Sequence, residues 1–267
     1  MKIIQAFLWR DIQNEVSYSL SFVLQILNVF PLVLLFYYLS QLLGDLSTGP
    51  LATYGGLYFP FVLIGIAVQN YLIQGLNGFA ASIREAQLCG TLEAVLAAPV
   101  SLPHFLFGSA LYAFALNSVR VLFYLIVGAL LCDARFEWSR LPAVFGVMIL
   151  TIAAFSSLGI FSASFTILFK KGDPLNWVLS VSAWLLGGVY YPISVLPGWM
   201  QSIAVWIPIT HSLEALRHLL LGNQGPAALS NNLAGLTIWA LVGLPGSVLC
   251  FRFAVNRAKI TGSLGHH

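Results

Sequence analysis

The sequence predicts an all-α integral membrane protein with six transmembrane helices, and three observations carry that prediction. Hydrophobic residues make up 59% of the chain and charged residues 8%, against roughly 25% charged in a soluble domain. Six apolar runs approach the ~20 residues that a bilayer-crossing helix needs. Arg120 stands inside one of those runs, where a charge costs on the order of 2.5–3.5 kcal/mol. An arginine at that depth faces a protein interior or a water-filled path, so the spans are expected to enclose something polar.

The runs fall at Ser21–Leu43, Leu57–Ala80, Phe105–Leu131, Leu141–Phe169, Leu175–Tyr191 and Leu233–Phe253. No polar stretch between them is long enough for an independent soluble domain of ~50 residues. Residues 1–267 therefore read as a single transmembrane domain. The fifth run is short, and the apolar segment after it is interrupted by Pro192, Pro197, Gly198 and Pro208. Proline removes a helical donor and clashes with the preceding turn, so this segment cannot be one straight helix. It is expected to form two short helical pieces that dip back from the outer surface, within an outer re-entrant segment 192–232. Irregular backbone at such depth needs shelter from protein or a wet cavity.

Orientation follows from the basic residues. Lys2, Arg10, Arg84, Lys170, Lys171, Arg252, Arg257 and Lys259 fall on one side of this topology; Arg135, Arg140 and Arg217 fall on the other. The excess places both termini in the cytoplasm, and the chain in a cytoplasmic (inner) membrane. The net charge of +3 sits at the ends of apolar runs, which speaks for topology and against a nucleic-acid face. Residues 1–19 contain Lys2, Arg10, Asp11 and Glu15 and no uninterrupted apolar core, so no cleavable signal is expected there. Gly265-His266-His267 reads as an appended tag. Cys89, Cys132 and Cys250 are widely spaced, with no metal-ligand pattern.

Two further segments read as amphipathic helices. In residues 1–18, Ile3, Ile4, Phe7, Leu8 and Ile12 follow the 3.6-residue period, which suits a helix lying in the cytoplasmic interface against membrane lipid. Within residues 81–103, Ser82 and Glu85 have capping-box spacing. Leu88, Leu92, Val95 and Leu96 line one face, while Arg84, Glu85, Gln87 and Glu93 lie off it. Such a helix can dock a soluble partner or simply present a solvated face.

The sequence holds no G-x-x-x-x-G-K-[ST], no G-x-S-x-G and no H-E-x-x-H, so no phosphate cradle or hydrolytic motif is visible. His211, Glu214 and His218 share one predicted helix. Two histidines seven apart with Arg217 between them make a poor ligand set, so no metal or cofactor is expected in this chain. Glu214 and Arg217 read instead as an ion pair at an outer gate, with Pro192 and Pro197 shaping the turns. Tyr37, Tyr38, Tyr54, Tyr58, Trp138, Trp184, Tyr190, Tyr191, Trp199 and Trp206 lie near the predicted outer boundary. They read as an interfacial belt, some of which could line a pathway. Ser156, Ser157, Gly159, Ser162, Ala163 and Ser164 are small enough for close helix packing.

Residues 85–101 read EAQLCGTLEAVLAAPVS, and residues 187–217 read GGVYYPISVLPGWMQSIAVWIPITHSLEALR. The first resembles the signature region of ABC-2-type exporter permeases: an acidic residue before G-T-L-E, an apolar helix, then P-[VI]-[ST]. The second resembles that family's G-x-x-[FY]-P…L-P-x-[WL]…P…A-L-R block. Together with six spans and cytoplasmic termini, the resemblance covers essentially the whole chain. It implies a homodimer in which each copy docks a separate ATP-binding-cassette ATPase that holds the ATP and Mg. Glu85, Gly90, Thr91, Leu92 and Glu93 would then belong to a coupling helix touching that ATPase. Arg120, on the cost of its charge in lipid, is expected to face the translocation pathway. The cargo expected is amphipathic: a lipid-like molecule, a drug or a glycan, with GTLE and P-V-S nearer the drug and lipo-oligosaccharide branch. The competing reading is an ATP-independent secondary transporter or lipid scramblase. Ion coupling there calls for intramembrane acids, and none of the six runs has a central Asp or Glu.

Overall fold

The computed structural model describes residues 30–44, 49–88, 102–132, 137–169, 174–221 and 226–260. Every regular element among them is helical. The order is α1 (Phe30–Leu43), a 3-10 turn (Ala52–Tyr54), α2 (Tyr58–Leu88), α3 (Leu102–Cys132), a 3-10 turn (Trp138–Arg140) and α4 (Leu141–Phe169). Then come α5 (Pro174–Leu186), a 3-10 turn (Ile193–Val195), α6 (Gly198–Ala204), α7 (Pro208–Leu221) and α8 (Pro226–Ile238). A π turn over Trp239–Gly243 leads into α9 (Leu244–Ile260).

Four stretches are long and apolar enough to cross a membrane: Tyr58–Phe79, Ala113–Leu130, Leu141–Ile167 and Ala228–Ala258. Phe30–Leu43 and Leu175–Leu186 are apolar but shorter. The predicted amphipathic helix 1–18, the start of the first run, and residues 89–101 with Gly90, Thr91, Leu92 and Glu93 lie outside the described residues.

Two boundaries differ from the sequence reading. The second helix continues unbroken to Leu88, so Ser82 does not cap a new helix. Between Ala80 and Leu88 the chain has alanine, arginine, glutamate, glutamine and leucine, all strong helix formers, and nothing that breaks the ladder. The fifth helix stops at Leu186 rather than at Pro192. The Gly187-Gly188 pair ends it, with Gly188 at φ +76°, in the left-handed region where only glycine is at ease.

The long helix α4 organises the bundle, packing against α2, α7 and α9. Its small residues explain why. Ser156, Ser157, Ser162, Ala163 and Ser164 are all buried. A Cβ at Gly159 would lie 1.9 Å from the Gly75 carbonyl oxygen and 2.7 Å from Phe79 Cδ2, so α2 and α4 touch backbone to backbone. In lipid, where helices gain little from water exclusion, such close packing is what binds them. Polar side chains add cross-links: Thr151 Oγ1 and Ser212 Oγ are 2.9 Å apart. The Tyr71 hydroxyl donates to Ser118 Oγ at 2.8 Å, and Asn176 Nδ2 donates to the Leu76 carbonyl at 3.2 Å.

Three connections meet at one end of this bundle. The Glu137 amide donates to the Leu220 carbonyl at 3.1 Å, and Tyr54 and residues 188–189 reach α7 as described below. These are the connections that the charge bias places on the outer side.

Candidate functional site

Helix α7 closes that end. Proline at its first position has no amide hydrogen to leave unsatisfied and a φ already suited to a helix, so Pro208 starts α7 rather than merely interrupting an apolar segment. Isoleucine, leucine and alanine then bury most of its surface: Ile209, Leu213, Ala215 and Leu216 are at most 3% exposed. Arg217 is in the same core, at 1% exposure.

A buried guanidinium is tolerable only when its donors are satisfied. Here backbone oxygens do this. Nη1 donates to the Gly188 carbonyl at 2.8 Å and Nη2 to the Val189 carbonyl at 3.0 Å. Nη2 and Nε also reach the Phe61 carbonyl at 3.1 and 3.3 Å. The group lies 3.5 Å from the Phe61 ring centroid, within cation–π range. Gly65 makes room: a Cβ there would be 2.2 Å from the Val189 oxygen and 3.2 Å from Arg217 Nη2. One side chain thus ties α7 to the first turns of α2 and to the chain just past α5.

This differs from the pair expected at the outer surface. Arg217 and Glu214 approach only to 3.9 Å, and the arginine is in the core. Glu214 is held by the Tyr54 hydroxyl, which lies 2.9 and 2.8 Å from its two oxygens. Pro192 is buried and precedes the 3-10 turn, while Pro197 is exposed and precedes α6. Of this segment, Gly198–Ala204 forms the short helix α6, and Pro208 begins the longer α7 rather than ending a piece.

Beside the cap is an aromatic cleft of about 370 Å³, lined by Phe36, Trp184, Leu185, Tyr190 and Tyr191. Phe36 and Tyr190 stack with centroids 5.2 Å apart, and Trp184 meets Tyr190 edge-on at 6.3 Å. The hydroxyls are engaged within the protein. Tyr190 donates to Gln69 Oε1 at 3.0 Å, Tyr58 donates to the Tyr190 carbonyl at 3.2 Å, and Tyr191 donates to the Leu185 carbonyl. Three residues of the predicted belt thus line a cleft. Phe36 carried no signal of its own in the sequence, being one phenylalanine in an apolar run. A second cavity, about 280 Å³, separates α3 from α4. It is almost wholly apolar, with the Tyr71–Ser118 bond on one wall.

Arg120 is half-buried in the middle of α3 and lines neither cavity. Asn117 and Tyr124, at i−3 and i+4, are buried, so the three form a polar stripe on one helix face. Asn117 Nδ2 has no hydrogen-bond partner among the described residues. Glu85 falls in the last turn of α2. His211 faces Asn232 Oδ1 at 3.1 Å and the Val205 carbonyl at 2.8 Å. Among the described residues no His, Cys, Asp and Glu cluster could hold a metal.

Sequence comparison matches residues 3–221 to the ABC-2 type transporter family. The chain belongs to that family. It is therefore a multi-pass membrane protein and a transport permease, without catalytic machinery of its own. Permeases of this kind generally pair with an ABC ATPase. No curated protein matches the chain in sequence.

Proposed function

We propose that this permease is the membrane subunit of an ATP-driven exporter. Two copies pair, each docked on a separate ABC ATPase through Glu85, Gly90, Thr91, Leu92 and Glu93, and amphipathic cargo leaves outward. The observation that carries the reading is the pairing of an ABC-2 permease match with the lack of any phosphate-binding loop in these 267 residues. In this reading the driving force comes from a separate ABC ATPase. The aromatic cleft supports apolar or amphipathic cargo, because rings can bind flat apolar surface while their own hydroxyls stay engaged. Arg120, half-buried on the polar stripe of α3 with Asn117 and Tyr124, is assigned to the pathway on the cost of exposing it to lipid.

ATP binding would draw the ATPases together and push on residues 85–99. A switch of this kind needs contacts that differ between the two states, and the carboxylates of Glu85 and Glu93 are the charges in this segment that could supply them. The test is co-expression with the cognate ATPase. The wild-type chain should co-purify with it and confer cargo-dependent ATP hydrolysis. Glu93→Arg should lose coupling, because a reversed charge at a contact repels its partner. Robust ATPase activity from the permease alone, or wild-type assembly and transport in Glu93→Arg, would overturn the reading.

A further inference from the structure

The capped end is built from two parts held very differently. Helix α7 is fixed on every side: Arg217 bonds to Phe61, Gly188 and Val189. Ser212 meets Thr151 on α4, Glu214 meets Tyr54, and His211 meets Asn232 on α8. The preceding segment, residues 193–204, has none of this. Within α6 only Ala204 is buried, and Trp199 and Ile203 are 67% and 45% exposed. Its side-chain hydrogen bonds stay local: Gln201 Nε2 donates to the Leu196 and Ser194 carbonyls, and Ser202 Oγ donates to the Gly198 carbonyl. Among the described residues, no hydrogen bond runs from 193–204 to α2, α4 or α7.

We propose that Arg217 is a positioning residue that divides the cap into a fixed anchor, α7, and a flap, residues 193–204, that lifts without it. Moving α7 would draw a buried guanidinium away from three carbonyls and leave it unpaired in the core, the most expensive state available to a charge. Lifting the flap breaks no such bond. It exposes Ala204 and pivots at Val205–Ile207 on one side and at buried Pro192 on the other. Tyr190 and Tyr191, walls of the aromatic cleft, lie just before the Pro192 pivot, so the flap would move beside that cleft while α7 keeps the bundle end closed.

Single cysteines test this in a background where Cys89, Cys132 and Cys250 are replaced. Ala204→Cys reports the flap and Leu213→Cys the anchor; both parent side chains are 0% exposed, so reaction of either cysteine measures opening, not static exposure. The permease in proteoliposomes is treated with an impermeant maleimide. Ala204→Cys should react at least about tenfold faster than Leu213→Cys, since the two openings differ in cost. Adding Arg217→Gln should raise the Leu213→Cys rate to within about threefold of the flap's and change the flap rate by less than about twofold. Arg217→Lys keeps the cation but cannot reach three carbonyls at once, so it should fall between; it carries the comparison if Arg217→Gln does not fold. Equal rates at the two cysteines overturn the flap. Protection of Leu213→Cys undisturbed by both arginine variants overturns the anchor. The assay needs no ATPase, so its outcome and that of the co-purification test are independent.

Discussion

Gly65→Ala places one methyl group at the joint on which the cap depends. A Cβ there would sit 2.2 Å from the Val189 oxygen, where an ordinary carbon–oxygen contact is about 3.3 Å or more. The 189 carbonyl must therefore retreat by roughly 1 Å, and the Arg217 Nη2 bond to it, now 3.0 Å, is lost. Overpacking of this kind costs about 1–3 kcal/mol. A hydrogen bond to a charged group is worth about 1.5–3 kcal/mol. Alanine's better helix propensity returns about 1 kcal/mol. The net expectation is a loss of about 3 kcal/mol, or a fall in Tm of about 6–12 °C for a chain of this size. Gly146→Ala is the control: it too sits in a helix, but nothing lies within 4 Å of a Cβ there, so it should hold or slightly raise Tm. The measurement is thermal unfolding of the detergent-purified permease. If Gly65→Ala melts within a degree or so of Gly146→Ala, the close approach of α2, residue 189 and Arg217 does not hold the cap together.

Gly159→Leu should be worse, because its Cβ falls 1.9 Å from a backbone oxygen on α2 that cannot swing aside. We expect α2 and α4 to separate and folded protein to fall severalfold in size-exclusion yield; wild-type yield and Tm would contradict the backbone contact. Tyr54→Phe removes the phenol that holds Glu214. With the carboxylate 15% exposed, water can replace part of that bond, so the loss should be about 1 kcal/mol. Its Tm should lie clearly above that of Gly65→Ala, and a drop as large would mean that Glu214, not Arg217, secures α7.

Long elements were legible because each is written in consecutive residues. The run Leu141–Phe169 appears as a helix with those same ends, and the small residues from Ser156 to Ser164 announced its tight packing. Element ends were harder. Pro192 looked like the stop for the fifth helix, yet the Gly187-Gly188 pair acts first by giving up helical φ. Ser82 looked like a cap, but capping needs a chain that has already left the helix, and no residue between Ala80 and Leu88 makes it leave. The site was read through its local pairs, which is why Glu214 was matched to Arg217 three residues away. The arginine's real partners are 156, 29 and 28 residues distant. They are backbone carbonyls, which every residue has, so side-chain chemistry cannot point to them.

The π turn at Trp239–Gly243 does more than separate α8 from α9. A wide turn carries one residue more than an α turn, and one residue is 100° of rotation. The apolar stripe of the C-terminal helix is therefore re-phased halfway along its length. Its first half, α8, meets both the cap helix α7 and the central helix α4, and its second half, α9, meets α4. A regular helix would have to bend or supercoil to satisfy both neighbours. The turn works as a vernier, setting which residues of each half face their neighbours. Deleting a single residue from the turn would take one half out of register with its neighbours.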